Sequence, residues 1–144
     1  MSSDAVVWFA RVNGVALLIV AVLGWPLRTT PPLEWFNLST AENVVHLLLG
    51  AALLYAGFVR VDRELARRAI ALVGVVALLA AVLGFTAAPH ALADAGYLAT
   101  NWSLAHQVAH LVVAAVFGAV WLASRQERDA LVLAAPSPEP ETSA

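Results

Sequence analysis

The chain has 144 residues, 61% of them hydrophobic and 12% charged, with a formal net charge of −2. Soluble domains run near half apolar and about a quarter charged, so this composition excludes an ordinary soluble enzyme and offers no basic surface for nucleic acid. There is no cysteine, which removes a disulfide framework, a thiolate metal site and thiol redox chemistry together.

Four apolar runs follow one another at about 6–24, 41–59, 69–85 and 103–123. At about 1.5 Å per residue each approaches the thickness of a hydrocarbon core of about 30 Å. No charged or strongly polar residue interrupts Val15 to Leu23 or Ile70 to Leu83, so a soluble bundle with a polar stripe on every helix does not fit. The first run is expected to be retained, because "GWPLRTTPP" after it has no small-x-small cleavage site and the basic region before it is thin. Next comes "WPLRTTPPLEWFNLST", with three prolines and two tryptophans, expected to lie against the membrane surface.

The second run opens "AENVVHLLLG" and ends in the basic connection "RVDRELARR", where Arg60, Arg63, Arg67 and Arg68 crowd together. All eight basic residues are arginine; Arg125 and Arg128 follow the fourth run, Arg11 begins the first, and Arg28 alone falls in a loop on the other side. The positive-inside rule therefore makes that connection cytoplasmic, and an even number of spans puts both termini there too. Trp8 and Trp121 are expected at the inner headgroup boundary and Trp25, Trp35 and Trp102 at the outer one. The third run is followed by "TAAPHALADAGYLATN", whose His90 is expected to be solvated, and the fourth by a tail ending "APSPEPETSA", expected to be disordered. Two regions result, a membrane domain over 1–124 and a cytoplasmic tail over 125–144.

Sliding the chain against itself aligns "GVALLIVAVLGW" from Gly14 with "GVVALLAAVLGF" from Gly74, identical at seven of twelve positions. With an offset of 64, Val44, His46, Leu47 and Ala51 meet identical residues at Val108, His110, Leu111 and Ala115. The expected fold is therefore all-α: a four-transmembrane-helix bundle built from a duplicated helical hairpin, a parallel 2+2 repeat. Gly14, Ala21 and Gly24 share one face of the first helix, as Gly74, Ala81 and Gly84 do on the third, and form close-packing seams. Asn13 and Tyr55 are expected to be packing residues.

The fourth run opens with His106, Gln107 and His110, which lipid-facing positions would not favour. Measured from Trp102, His106 lies about 6 Å and His110 about 12 Å into the core, and the repeat puts Glu42 and His46 at matching depths. These four, with Asn43 and Gln107 beside them, are expected to form one polar layer in the outer half of the bilayer, facing the bundle interior.

Several chemistries fit that layer. The first is interhelical hydrogen bonding that sets the register of the two halves, with Glu42 also suited to the N-terminus of its helix. Another is bis-imidazole ligation of haem b by His46 and His110, although Arg28 is the only outer arginine available to propionates. A third is a zinc or first-row transition-metal site built from His46, His106, His110 and Glu42. Transport is the last, but four helices enclose little volume and the first carries no embedded acid. No nucleophile and base pair, phosphate loop or other catalytic arrangement stands out, so an enzyme is disfavoured.

The order of "GVALLIVAVLGW", "ENVVHLLLGAALLYAG", the basic loop, "GVVALLAAVLGF" and "TNWSLAHQVAHLVVAAVFG" resembles a family of small four-helix bacterial and archaeal membrane proteins of unknown function, the DUF4383 type. The resemblance covers about residues 8–123. Asn43, His46, Leu47 and Gly50 match its Asn-x-x-His-Leu segment, and Asn101 with Trp102 match its second motif, where the histidine here falls later than in the family. It implies a membrane bundle and supplies no activity.

The sequence thus points to a multi-pass inner-membrane protein in contact with the lipid bilayer. Its leading role is non-enzymatic: a structural or accessory component that associates with membrane-protein partners or with itself. The alternative is a haem- or metal-binding component of an electron-transfer or transport system.

Overall fold

The computed structural model describes residues 3–27, 39–86 and 104–134. Arg28, Trp35, His90, Asn101, Trp102 and the tail from residue 135 lie outside the described residues, as does the side chain of Trp25. Every element among the described residues is helical: α1 (Ser3–Leu27), α2 (Thr40–Leu54) continuing into a π-helical turn (Tyr55–Arg60), α3 (Arg63–Thr86) and α4 (Leu104–Ala134). All four are long and apolar enough to cross a membrane. In hydrocarbon the backbone must satisfy its own hydrogen bonds, which an uninterrupted helix does. Their outer surfaces are aliphatic, with Val12, Val15, Ile19, Leu48, Val75, Leu79 and Val112 all exposed. Such a surface is compatible with lipid and with little else.

The helices pack as two antiparallel hairpins, α1 with α2 and α3 with α4, and α3 also meets α1. In the first hairpin Arg11 faces Gly57, Gly14 faces Leu54 and Leu18 faces Gly50, one number falling as the other rises. At Gly50 a Cβ would stand 3.1 Å from the Gly14 carbonyl oxygen, so the absence of a side chain is what lets the backbones approach. In the second hairpin Arg63 faces Glu127, Gly74 faces Phe117 and Gly84 faces Gln107. Gly14, Ala21 and Gly24 on α1 are buried, as are Gly74 and Ala81 on α3.

Two boundaries differ from the sequence expectation. The basic connection is reduced to Val61 and Asp62, because α3 begins at Arg63 rather than near 69. Asp62 caps it, its Oδ1 accepting from the Leu65 N–H at 2.9 Å, and Glu64 pairs with Arg67 and Arg68 one turn on. Charge ends an apolar run without ending a helix. For the same reason α4 continues past 123 to Ala134, since no proline or glycine follows Gly118 until Pro136.

The main buried cluster runs from the end of the bundle next to Val61 and Asp62 towards its middle. Val6, Ala10, Leu53, Ala56, Ala66 and Ile70 are all fully buried there, joined by Val73 and Phe117, and Phe9 meets Phe117 edge to face at 5.0 Å. Arg11 ties α1 to the π-helical turn, its Nε donating to the Gly57 carbonyl at 2.7 Å while the guanidinium lies over the Phe58 ring. Arg63 and Glu127 join α3 to α4 at 2.6 Å. The opposite end, where α2 and α4 begin, is built differently.

Candidate functional site

Helix α2 starts with the sequence Ser39-Thr40-Ala41-Glu42, a capping box. The Ser39 hydroxyl accepts from the Glu42 N–H at 3.1 Å and Glu42 Oε2 accepts from the Ser39 N–H at 2.7 Å. Because the box fixes one carboxylate oxygen, the other is aimed across the bundle, where Oε1 accepts from His106 Nε2 of α4 at 3.0 Å. His106 in turn meets His110 edge to face with ring centroids 4.5 Å apart. Three of the four residues expected in the polar layer are thus in direct succession, Glu42 to His106 to His110.

His46 is held by its own helix, with Nδ1 2.8 Å from the Glu42 carbonyl oxygen. A carbonyl only accepts, so Nδ1 carries the hydrogen, and in the neutral ring Nε2 is left with a lone pair. Gln107 is buried at 3% exposure, and its Oε1 has no hydrogen-bond partner among the described residues. Its amide lies against Gly84, where any side chain would collide with it. Asn43 departs from the expected arrangement in facing elsewhere: it is fully buried, neither of its amide atoms has a partner among the described residues, and it does not border the space that the other groups enclose.

That space is a cavity of about 360 Å³. Glu42, His46, Gln107 and His110 supply its polar lining, and aliphatic residues such as Leu17, Leu49, Val73 and Ala77 supply the rest. Its mouth lies between α2 and α3, rimmed by Val45, Leu79 and Leu83, which are exposed on the bilayer face. His106 stands outside the lining and reaches the site through Glu42 and His110. Among the described residues no group of three or more His, Asp or Glu side chains is disposed to hold a metal ion, the set proposed from the sequence included. A second hollow between α3 and α4, bordered by Gly74, Leu78, Ala115 and Gly118, is apolar throughout and faces lipid.

The Ser-x-x-Glu spacing marks the capping box in the sequence and makes specific the expectation that Glu42 suits its helix N-terminus, whereas Gly84, expected in a close-packing seam, is the platform for Gln107. The cavity itself has a weaker signal, the small residues Ala77, Ala80 and Gly84 on α3 opposite the two histidines.

Four apolar spans and an interior polar layer define a multi-pass membrane protein in contact with the bilayer. Compared with protein-family models, curated proteins and solved structures, the chain matches none.

Proposed function

We propose that the chain is a non-enzymatic, membrane-embedded binding protein, an accessory component of a larger assembly, with the cavity between α2, α3 and α4 as its site. One observation carries this: beyond the main buried cluster the bundle holds an open space of about 360 Å³, walled in part by a buried amide oxygen with no partner among the described residues. Burying an unpaired polar atom costs about 1–3 kcal/mol, so a group that completes Gln107 on binding is favoured. Pockets for small molecules share this plan of apolar walls with a few convergent polar groups. The DUF4383-type resemblance of the quoted motifs adds a location and no chemistry.

The test is native mass spectrometry of protein extracted from its own membrane, alongside Ala80→Phe, which places a ring in the cavity. A small-molecule adduct present on the unaltered protein and lost in the variant is expected. Identical spectra for the two proteins, with or without adducts, would overturn the assignment.

A second reading, haem or metal ligation, is favoured by one observation: His46 and His110 border the same cavity from different helices. Among the described residues no arginine or lysine borders that cavity to receive propionates. A visible spectrum decides it, since a Soret band that shifts on reduction and disappears in His46→Leu establishes haem.

For orientation we propose that both termini are cytoplasmic and the histidine end faces outward, because Arg60, Arg63, Arg67, Arg68, Arg125 and Arg128 all belong to the opposite end. A fluorescent protein fused after Ala144 should be bright and an alkaline phosphatase fused there inactive. The reverse pattern would refute the assignment.

A further inference from the structure

We propose that the cavity takes a small lipophilic amine in its protonated form, which enters from the bilayer between α2 and α3 and directs its ammonium at the Glu42 carboxylate. This rests on the binding role just proposed and names the ligand class for the same site.

The hydrogen-bonding inventory of the lining selects the head group. His46 spends its Nδ1 hydrogen on the Glu42 carbonyl and offers the lone pair of Nε2. Gln107 offers a buried Oε1, and His110 a buried Nδ1, with no partner among the described residues. Glu42 accepts from Ser39 N and His106 Nε2, which leaves about half of a carboxylate's lone-pair sites open. The lining therefore offers several acceptors beside the donors of the Gln107 amide and the His110 ring, and none of its described residues is an arginine or lysine. A carboxylate or phosphate head would meet like charge. A hydroxyl would bring one donor, whereas an ammonium brings three together with the charge that an intramembrane carboxylate calls for. The body of the ligand is set by the remaining walls, which are aliphatic.

The mouth fits the route. Val45, Leu79 and Leu83 open onto hydrocarbon, where a lipophilic amine concentrates, and the polar groups lie at the end of the bundle nearest the headgroups. The amine and a proton compete for one carboxylate. The titratable groups around it are His46 on its own helix and His106 and His110 on α4, while α1 and α3 contribute only aliphatic lining.

The experiment uses the full chain in nanodiscs of zwitterionic lipid at neutral pH, with binding measured by calorimetry above empty nanodiscs. Three probes share one hydrocarbon body: phenylbutylamine, phenylbutanol and phenylbutyrate. The amine is expected to bind about ten-fold tighter than the alcohol, the gain of a charged over a neutral hydrogen-bonded head, and the acid not at all. Glu42→Gln keeps a residue able to complete the capping box and should lose the preference for amine while retaining the alcohol. Ala80→Phe should abolish binding of both. Equal binding of amine and alcohol to the unaltered chain, or a preference that survives Glu42→Gln, overturns the amine assignment and leaves the cavity as a binding site. Absence of saturable binding by every probe overturns both. If Glu42→Gln does not yield folded protein, the comparison of amine with alcohol on the unaltered chain decides the matter by itself.

Discussion

Glu42 is the residue on which the polar layer turns, because a single carboxylate serves as capping partner for Ser39 and as acceptor for His106. The two roles separate energetically. Replacing Ser39 by alanine removes the hydroxyl from the box and should cost about 1 kcal/mol, with the interhelical bond intact. Replacing His106 by leucine leaves the box intact and removes the link between α2 and α4. A double-mutant cycle with Glu42→Gln and His106→Leu, measured by unfolding in mixed micelles, should give a coupling of about 0.6–2 kcal/mol, the range for interhelical hydrogen bonds in membranes. Both side chains are largely buried, at 9% and 13% exposure, so solvent screening does not reduce the pair to a surface contact. Coupling near zero would mean that the 3.0 Å approach brings the groups together without stabilising the bundle.

Among the elements, the end of α2 stores strain. The helix widens into a π turn over Tyr55–Arg60, the Asp62 N–H reaches back to the Ala56 carbonyl at 3.2 Å, and Val61 closes the turn in the left-handed region at φ 48°. A β-branched residue is poorly suited to that conformation, which costs an L-residue about 1–2 kcal/mol and glycine almost nothing. Val61→Gly should therefore stabilise the protein, by about 1 kcal/mol or somewhat less after the greater freedom of glycine in the unfolded chain is counted. Chemical unfolding of the two proteins side by side checks the sign. That turn could not be read from "YAGFVRVD", whereas the spans themselves could, because runs of aliphatic residues in lipid admit little but helix. Charged residues misplaced the boundaries at Arg63 and at Ala134, since a helix ends at caps and breakers while an apolar run ends at the first charges. In the site, one-dimensional depth paired Glu42 with His106 and His46 with His110 one turn deeper, but depth carries no azimuth. Asn43, expected beside that layer, is buried outside the cavity lining, and among the described residues no three of His, Asp or Glu are grouped as metal ligands.

At the scale of the whole molecule the two ends obey different rules. Where α1, α2 and α3 meet near Asp62, small residues allow close packing and leave no room: Ala10, Ala56 and Ala66 are each fully buried. Towards the histidine end Ala77 and Ala80 of α3 border an open space instead. One substitution made at both ends should therefore have opposite outcomes. Ala66→Phe drives a ring into a filled core and should destabilise by about 1–3 kcal/mol or more through displaced side chains and backbone. Ala80→Phe moves its ring into the cavity, where dispersion contacts with the aliphatic walls are gained and nothing must be displaced, so stability should be unchanged or raised. Unfolding both variants against the unaltered chain in the same micelles measures the difference. Equal losses at the two positions would mean that the histidine end packs as tightly in a bilayer as the other, and the bundle would then have no site to offer a ligand. A clear gap between them would show that the open end is a stable feature of the fold, maintained by the tighter packing around Ala10, Ala56 and Ala66.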